Sequence, residues 1–257
     1  MNYPCENILG FPITALGQTE CINEICSWIL SNQNQKGRYL VCANPHSLEI
    51  ARSDPLFRRS ILEADIVTPD GAGIVLASKI LKGSIKGRVT GSDIFRELSR
   101  QLNWEGGCRY FFLGSTDDNL SRIRGKMKKD FPKIDIAGTH SPSFQPVFSE
   151  EENKNILETI NAAEPDVLWV GMTAPKQEKW IYMHREKLNV RFIGAVGAVF
   201  DFYIGTVKRS HPWFLEHGLE WLPRLLKEPQ RLWYRNFISN PKFLLRVAVN
   251  RFSSRSQ

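Results

Sequence analysis

The chain has 257 residues and a formal net charge of +7, with 42% apolar and 24% charged residues. These proportions are typical of one globular α/β domain and exclude a disordered chain. No apolar run approaches the roughly eighteen residues that span a bilayer, and the N-terminus lacks the basic and apolar regions of a signal peptide. The sequence therefore predicts a cytoplasmic protein.

The positive charge is concentrated at the C-terminal end of the chain. Residues 202–257 contain ten Lys and Arg against three Glu and so carry the whole net charge, whereas residues 1–201 are balanced. The same segment contains ten of the 28 aromatic residues. A neutral body with a basic, aromatic tail indicates attachment to something anionic, and a membrane, a nucleic acid and an anionic substrate all fit this pattern.

The spacing of cysteines, histidines and aspartates offers no metal centre. The five cysteines include no C-x-x-C pair, the five histidines show no H-E-x-x-H spacing, and no two aspartates lie two residues apart. We therefore predict neither a metal nor a cofactor. If the protein catalyses a reaction in which a diphosphate leaves, cationic side chains must stabilise that diphosphate in place of a metal ion.

Short β-rich runs alternate with helical patterns from about residue 38 to residue 200. The predicted strands are Tyr39–Ala43, Asp65–Thr68, Tyr110–Leu113, Asp135–Thr139, Val167–Val170 and Phe192–Val196. The predicted helices are Ser47–Leu62 with a break at Pro55, Ala72–Leu81, Ser92–Leu102, Asp117–Phe131, Glu150–Ala163 and Lys176–Lys187. Continuous apolar strands in this alternation predict an α/β fold with a Rossmann-like, doubly wound, mostly parallel sheet.

The pattern changes after Asp201. Between Trp221 and Phe237 apolar residues recur at helical spacing, with basic residues between them and an interruption at Pro229. We therefore predict an α/β catalytic domain over residues 1–204 and a helical, basic, amphipathic appendage over residues 205–257 that associates with a membrane. The pattern equally fits a helix that packs on the domain with solvated arginines outside.

Polar residues just after the strands define the candidate site, because open parallel sheets bind ligands at the carboxyl ends of their strands. In chain order these residues are Asn44, Asp70, Thr173, Gln177 and Asp201. Asp70, which lies between a proline and a glycine, is the leading candidate for a general base toward a sugar or alcohol hydroxyl. The alternative is an N-cap of the helix that begins near Ala72.

The glycine patterns at the strand ends do not match a nucleotide-binding fingerprint. Gly71-x-Gly73 and Gly194-x-x-Gly197 are suited to close phosphate contacts, but neither a G-x-G-x-x-G nor a P-loop sequence occurs. This disfavours an NAD(P)-dependent oxidoreductase. Arg88, which precedes the helix start at residues 90–93, and the arginines of the tail are the candidates for stabilising a departing diphosphate.

Five segments together resemble the WecG/TagA/CpsF glycosyltransferases, glycosyltransferase family 26. They are Thr68-Pro-Asp-Gly-Ala-Gly73, Arg88-Val-Thr-Gly-Ser-Asp93, Gly171-Met-Thr-Ala-Pro-Lys-Gln-Glu178, Gly197-Ala-Val-Phe-Asp201 and the block from Gly205 to Leu226. The resemblance covers about residues 8–240 in the family's order and spacing.

That resemblance implies a metal-independent, inverting transferase on the inner face of the bacterial plasma membrane. Its donor would be a UDP-sugar, and its acceptor a polyprenyl-diphosphate-linked sugar used in cell-surface polysaccharide synthesis. The donor sugar would be of the N-acetylmannosamine type or a related hexose, with glucose and N-acetylmannosaminuronate as alternatives. The anionic membrane surface is then a partner, and a homo-oligomer is left open.

The resemblance also assigns residues to roles. Asp70 falls on the family's proposed catalytic base, and the substrate-binding positions are Asn44, Arg88, Asp93, Thr173, Gln177 and Asp201. The positions expected to contact the membrane or the diphosphate are Lys208, Arg209, Arg224, Arg231 and Arg235. Cys42 departs from the pattern, because teichoic-acid members carry threonine there. A thiol donates a weaker hydrogen bond than a hydroxyl, so the expectation for the donor sugar carries over less well than the reaction type.

A nucleic-acid-binding protein is the alternative from another functional class, because the tail has the appropriate charge. The body contains no RRM, KH, helix-turn-helix or zinc motif. We therefore predict no nucleic-acid partner.

Overall fold

Six parallel strands form the centre of the fold in this computed structural model, which describes residues 3–31, 37–207, 225 and 229–253. The strand order is β4-β3-β8-β7-β5-β6, and all five pairings are parallel. The strands are β3 (Arg38–Ala43), β4 (Ile66–Pro69), β5 (Arg109–Gly114), β6 (Asp135–His140), β7 (Val167–Gly171) and β8 (Phe192–Ala195). The prediction of an α/β, doubly wound sheet is confirmed, and each predicted strand end agrees within one residue.

Helices cover both faces of this sheet and bury its strands on two sides, except for the edge strand β6, which is only partly buried. One face packs against α2 (Pro45–Ala51), α3 (Pro55–Leu62), α4 (Ala72–Leu81), α7 (Glu150–Ala162) and α8 (Lys176–His184). The other packs against α1 (Gln18–Leu30), α5 (Gly91–Trp104), α6 (Asp117–Asp130) and α9 (Val199–Ile204). Since helices in such folds run back from the carboxyl ends of the strands, most of them begin at the edge where ligands bind.

Two glycines allow aromatic rings to lie directly against the strands. A Cβ atom on Gly194 of β8 would lie 2.4 Å from the ring of Trp169, and one on Gly171 of β7 would lie 2.3 Å from the ring of Phe200. Both rings are almost fully buried. The glycine at position 194 therefore serves core packing and not phosphate binding.

An antiparallel hairpin precedes the sheet. It comprises β1 (Cys5–Ile8) and β2 (Phe11–Thr14), and neither it nor α1 was predicted from the sequence. The Thr14 hydroxyl accepts a hydrogen bond of 3.0 Å from the backbone N–H of Val67, which attaches the hairpin beside edge strand β4. The strands of the hairpin have only four residues each, so their alternation is too short to stand out.

The C-terminal end of the chain is helical, as predicted. It comprises α10 (Pro229–Tyr234), a π-helical segment (Arg235–Ser239) and α11 (Asn240–Ser253). Phe243 and Val247 are fully buried in the core on the side of α2 and α4. Among the described residues, no helix combines the length and the apolar character needed to cross a bilayer.

Candidate active site

The loops that follow β4, β3, β8 and β7 are neighbours at the carboxyl edge of the sheet. Adjacent strands lie about 4.8 Å apart, so the four loops share roughly 15 Å of this edge. The backbone N–H of Asp70 donates to the carbonyl of Ala43 over 2.8 Å, and that of Val89 donates to the carbonyl of Pro69 over 3.0 Å. The structure thus brings Asn44, Asp70 and Arg88 into one region.

Asp70 is half-buried and lies immediately before helix α4. The N-cap of that helix is Gly71, with φ +105°, so the alternative in which Asp70 caps the helix is wrong. A Cβ atom on Gly71 would meet none of the described residues within 4 Å. Within the described part of the chain, open space therefore adjoins the backbone beside Asp70.

Asn44 is the N-cap of α2. Its Oδ1 accepts a hydrogen bond of 3.0 Å from the backbone N–H of Ser47, while its own backbone N–H donates to the Ser47 hydroxyl over 2.9 Å. This cap does not use the Asn44 Nδ2 group.

A Cβ atom on Gly73 would lie 2.5 Å from Cγ of Pro45, so this glycine is explained by the close approach of α4 to α2.

Asp93 forms a capping box at the start of α5. The Thr90 hydroxyl donates to the Asp93 carboxylate over 2.7 Å, and the backbone N–H of Asp93 donates back to Thr90 Oγ1 over 3.3 Å. The carboxylate predicted to bind substrate therefore also fixes the start of the helix that follows Arg88. Arg88 itself is half-buried.

Gln177 joins the loops after β7 and β8 beneath the surface. Its side chain is almost fully buried, and its Oε1 accepts hydrogen bonds from the backbone N–H groups of Met172 and Gly197 over 3.2 and 3.0 Å. Its Nε2 donates to Oε1 of Glu178 over 2.8 Å. Thr173, in contrast, is exposed at the rim of the same loop. Of these two predicted substrate-binding residues, Gln177 lies below the site and Thr173 lies at its surface.

Glu178 was not selected as a site residue from the sequence, although the quoted motif ends on it. It is 4% exposed, and its Oε2 is buried without a hydrogen-bond partner. Burial raises the pKa of this carboxyl group to about 7. Glu178 lies in the first turn of α8, and the sequence does not show that an acid at this position is buried.

Cys42 lies at the base of the site between β8 and the start of α5. Its Sγ is 3.9 Å from the carbonyl of Ala195, and a Cβ atom on Gly91 would lie 3.3 Å from Sγ. Burial raises the pKa of the Cys42 thiol, and the negative charges of Asp70 and Glu178 raise it further. The thiol therefore stays neutral at physiological pH and is unsuited to act as a thiolate nucleophile.

Asp201 lies toward the opposite end of the carboxyl edge from Asp70. Nδ2 of Asn119 donates to Asp201 Oδ1 over 3.2 Å and to the hydroxyl of Ser115 over 3.0 Å. Ser115 follows β5, which is four strands from β4 in the sheet. The two aspartates therefore belong to separate parts of a long edge.

Of the five basic positions predicted in the tail, one has a described side chain. Lys208, Arg209 and Arg224 lie outside the described residues, as does the side chain of Arg231. Arg235 is half-buried in the π-helical segment. Burial, together with the charge of Arg235, lowers the pKa of His46, the second residue of α2. Arg235 thus lies close to the helix that Asn44 caps.

Polar contacts attach the C-terminal helix, by which we mean α10, the π-helical segment and α11 together, along α2. His46 Nδ1 and the Ser239 hydroxyl are 2.9 Å apart. Further along, the buried Glu49 carboxylate lies 3.3 Å from Nε of Arg246 and 3.9 Å from Nζ of Lys242. The aromatic part of the helix is therefore placed near the carboxyl edge, and its later turns follow α2 away from that edge.

The outer surface of this helix exposes large apolar side chains. They are Trp233, Tyr234, Phe237, Ile238, Leu245, Val249 and Phe252. Scattered single apolar residues are ordinary on protein surfaces, but a contiguous set on one helix marks an interaction surface. We call these seven residues the outer apolar face.

No group of three or more His, Cys, Asp or Glu side chains suited to a metal ion occurs within the described part of the chain.

Comparisons with known proteins agree with the resemblance seen in the motifs. The family model described as "Glycosyl transferase WecG/TagA/CpsF family" matches residues 6–257. Three similar proteins are each named N-acetylglucosaminyldiphosphoundecaprenol N-acetyl-beta-D-mannosaminyltransferase. The Bacillus spizizenii protein is 31% identical over 82% of this chain and 79% of its own length. The Bacillus subtilis strain 168 protein is 28% identical over the same shares. The Staphylococcus aureus strain MW2 protein is 25% identical over 94% of this chain and 91% of its own.

Proposed function

The chain belongs to the WecG/TagA/CpsF glycosyltransferase family, and from this premise we propose that it transfers a sugar from a UDP-sugar to a polyprenyl-diphosphate-linked sugar. The names of the similar proteins support an N-acetylglucosamine-diphosphate-undecaprenol acceptor and an N-acetylmannosamine donor. The observation that carries the proposal is the carboxyl edge of the sheet, where Asp70 lies beside Asn44 and Arg88 with open space at Gly71. The product would extend a lipid-linked saccharide for the bacterial cell surface.

The proposed reaction is a single displacement with Asp70 as general base. The Asp70 carboxylate takes the proton of an acceptor hydroxyl while that oxygen bonds to the anomeric carbon of the donor sugar. The bond from this carbon to the diphosphate oxygen breaks, UDP departs with the electron pair, and the anomeric configuration inverts. General-base assistance of this kind contributes about 10²–10⁴-fold to the rate.

Fixed cations are proposed to stabilise the departing diphosphate. Arg88 lies beside the strand end that bears Asp70, and Arg235 lies near the helix capped by Asn44. Preorganised positive charge at this position acts where negative charge develops in the transition state. We propose the same role for Arg224 and Arg231, whose side chains lie outside the described residues.

The C-terminal helix is proposed to hold the enzyme at the cytoplasmic leaflet of the membrane. Its outer apolar face supplies aromatic and aliphatic side chains, and Lys242 and Arg251 on the same helix supply positive charge. Apolar insertion together with attraction to anionic lipid is the usual means by which such helices bind a membrane surface. In this proposal residues 205–257 serve attachment and diphosphate binding, and residues 1–204 carry the transfer chemistry.

The proposal is tested by measuring UDP release from a panel of UDP-sugars with a short-chain, lipid-linked N-acetylglucosamine acceptor. We expect release to require both substrates and to be fastest with one donor of the N-acetylmannosamine type. A preference for UDP-glucose or UDP-N-acetylmannosaminuronate would assign a different donor sugar and leave the proposed reaction type unchanged. No acceptor-dependent release from any donor would refute the proposed function.

A further inference from the structure

Glu178 has an unusual environment for an acidic side chain. It is 4% exposed, and its Oε1 accepts a hydrogen bond from Gln177, while its Oε2 has no hydrogen-bond partner among the described residues. A buried carboxylate without a cation or a full set of hydrogen bonds is strongly disfavoured, so such groups become neutral instead. Whether Glu178 is neutral or ionised therefore depends on the charges and hydrogen bonds around its carboxyl group.

Titratable and cationic groups near Glu178 do not compensate a negative charge there. The Cys42 thiol faces it from β3, and the Asp70 carboxylate acts on the same thiol from the loop after β4. On its own helix, Lys176 donates to the carbonyl of Gln145, and Lys179 pairs with Asp54. Within the described residues no cation forms an ion pair with Glu178, and two nearby groups bear or can acquire negative charge.

Glu178 also controls the geometry of two loops through one neighbour. Gln177 uses its Nε2 to bond Glu178 and its Oε1 to bond the N–H groups of Met172 and Gly197. Met172 follows β7 and Gly197 follows β8, and both strands end at the candidate site. An amide held at both ends fixes the side-chain orientation that presents its oxygen to the two N–H groups.

We propose that Glu178 is a positioning residue that must be protonated for the enzyme to bind its anionic donor tightly. This inference rests on the proposed function. Burial favours the neutral acid by more than the bond from Gln177 favours the ionised one, and that bond keeps the two loops in place. Loss of its proton puts a buried negative charge beneath the site and repels the diphosphate. The donor and the Glu178 proton therefore bind cooperatively, which agrees with a pKa near 7.

The test is the pH dependence of UDP binding to the full chain, measured by calorimetry at pH 6.5 and pH 8.5. In the wild-type protein we expect the affinity to fall on the order of tenfold more than in Glu178→Gln, because water screens a buried charge from the diphosphate only weakly. The titration of UDP itself is the same for both proteins and cancels in the comparison. Glu186→Gln is the matched control, because the Glu186 side chain, just after α8, is 86% exposed and should keep the wild-type pH dependence.

A second measurement needs no variant and covers the case in which Glu178→Gln does not fold. Wild-type binding of UDP near pH 7.5, in buffers of different ionisation enthalpy, should show net proton uptake. Binding of UDP at a cationic site without Glu178 would give no uptake or a net release. Identical pH dependence in wild type and Glu178→Gln, or absence of proton uptake, would overturn the inference while leaving the proposed function intact. A wild-type protein that does not bind UDP at any pH would overturn both.

Discussion

Asn44, Asp70 and Gln177 differ in the structural hydrogen bonds of their side chains. Gln177 accepts hydrogen bonds from two backbone N–H groups and donates one to Glu178, and the side-chain oxygen of Asn44 caps α2. Gly71 is the N-cap of α4. The proposed catalytic base is therefore not the N-cap residue of the helix that follows it.

Replacing Glu178 by Gln should stabilise the protein at alkaline pH. The folded state raises the pKa of this acid to about 7, from about 4.5 in the unfolded chain. Folding is therefore favoured by the neutral form, and wild-type stability falls as the pH rises through 7. We expect a gain of about 3 kcal/mol at pH 8.5 and about 1 kcal/mol at pH 5. Urea unfolding at both pH values measures this, and an equal difference at the two would contradict it.

The positions of most proposed site residues were predictable, because polar residues after buried strands must meet at one edge of a parallel sheet. Asn44, Asp70 and Thr173 were found in this way, and their placement follows from the strand order. Glu178 was missed, because a sequence does not show that an acid at a helix start is buried. The capping box of Asp93 was also missed, although Thr90 and Asp93 have the spacing that predicts it.

At the scale of elements, the C-terminal helix is held by its inner face and exposes its outer one. Phe243 and Val247 are buried in the core, whereas Phe252 is 66% exposed. The helix also contacts α2 through Ser239 and Arg246. Since α2 is capped by Asn44, the packing of this helix supports the position of a proposed site residue.

Phe243→Ala should therefore cost about 3–5 kcal/mol of unfolding free energy, because it leaves a cavity in the core. The exposed Phe252→Ala should change stability by less than about 0.5 kcal/mol. Chemical denaturation of both variants measures the difference. Equal and small effects would show that the helix does not pack as described.

Gly194→Ala should destabilise the sheet by about 1–3 kcal/mol, because its methyl group would overlap the ring of Trp169. Gly125→Ala is the control, since a Cβ there meets nothing within 4 Å and Gly125 lies inside α6. That change should stabilise the protein by up to about 1 kcal/mol. Thermal unfolding of the two variants should shift in opposite directions. A shift in the same direction would contradict the packing assigned to Gly194.

Strands and helices were predictable where the apolar pattern in the sequence was long and the burial along the element was uniform. Five of the six strands are mostly buried and appear as apolar runs, whereas the edge strand β6 has no fully buried residue, and all six agree with the structure within one residue at each end. The hairpin at residues 5–14 escaped prediction because its strands are short. The burial of Phe243 and Val247 was also unforeseen, because the apolar residues of that helix occur on two faces and the sequence does not say which face packs.

At the scale of the whole molecule, charge and exposed apolar surface coincide at the C-terminal end. The net charge of +7 arises from residues 202–257, and the outer apolar face lies on the helix within that segment. The start of this helix contacts His46 at the carboxyl edge of the sheet. A membrane bound by the outer apolar face would therefore lie near the mouth of the site.

The double substitution Trp233→Ser and Phe237→Ser should weaken binding to vesicles containing phosphatidylglycerol by at least about tenfold, because it removes two exposed aromatic side chains. The fold should be unchanged, since both side chains are more than half exposed. Trp104→Ser is the control, because this 82% exposed tryptophan ends α5 away from the C-terminal helix. Vesicle co-sedimentation compares the variants. Equal binding by both would contradict attachment through the outer apolar face.

Asp70→Asn tests the central claim most directly, in an assay of UDP release with the preferred UDP-sugar and a lipid-linked N-acetylglucosamine acceptor. We expect turnover to fall by about 10²–10⁴-fold, with UDP binding and thermal stability retained, because only the general base is removed. Asp118→Asn, at an exposed position in the first turn of α6, should keep wild-type turnover. Near-normal transfer by Asp70→Asn would contradict the assignment of Asp70 as the catalytic base.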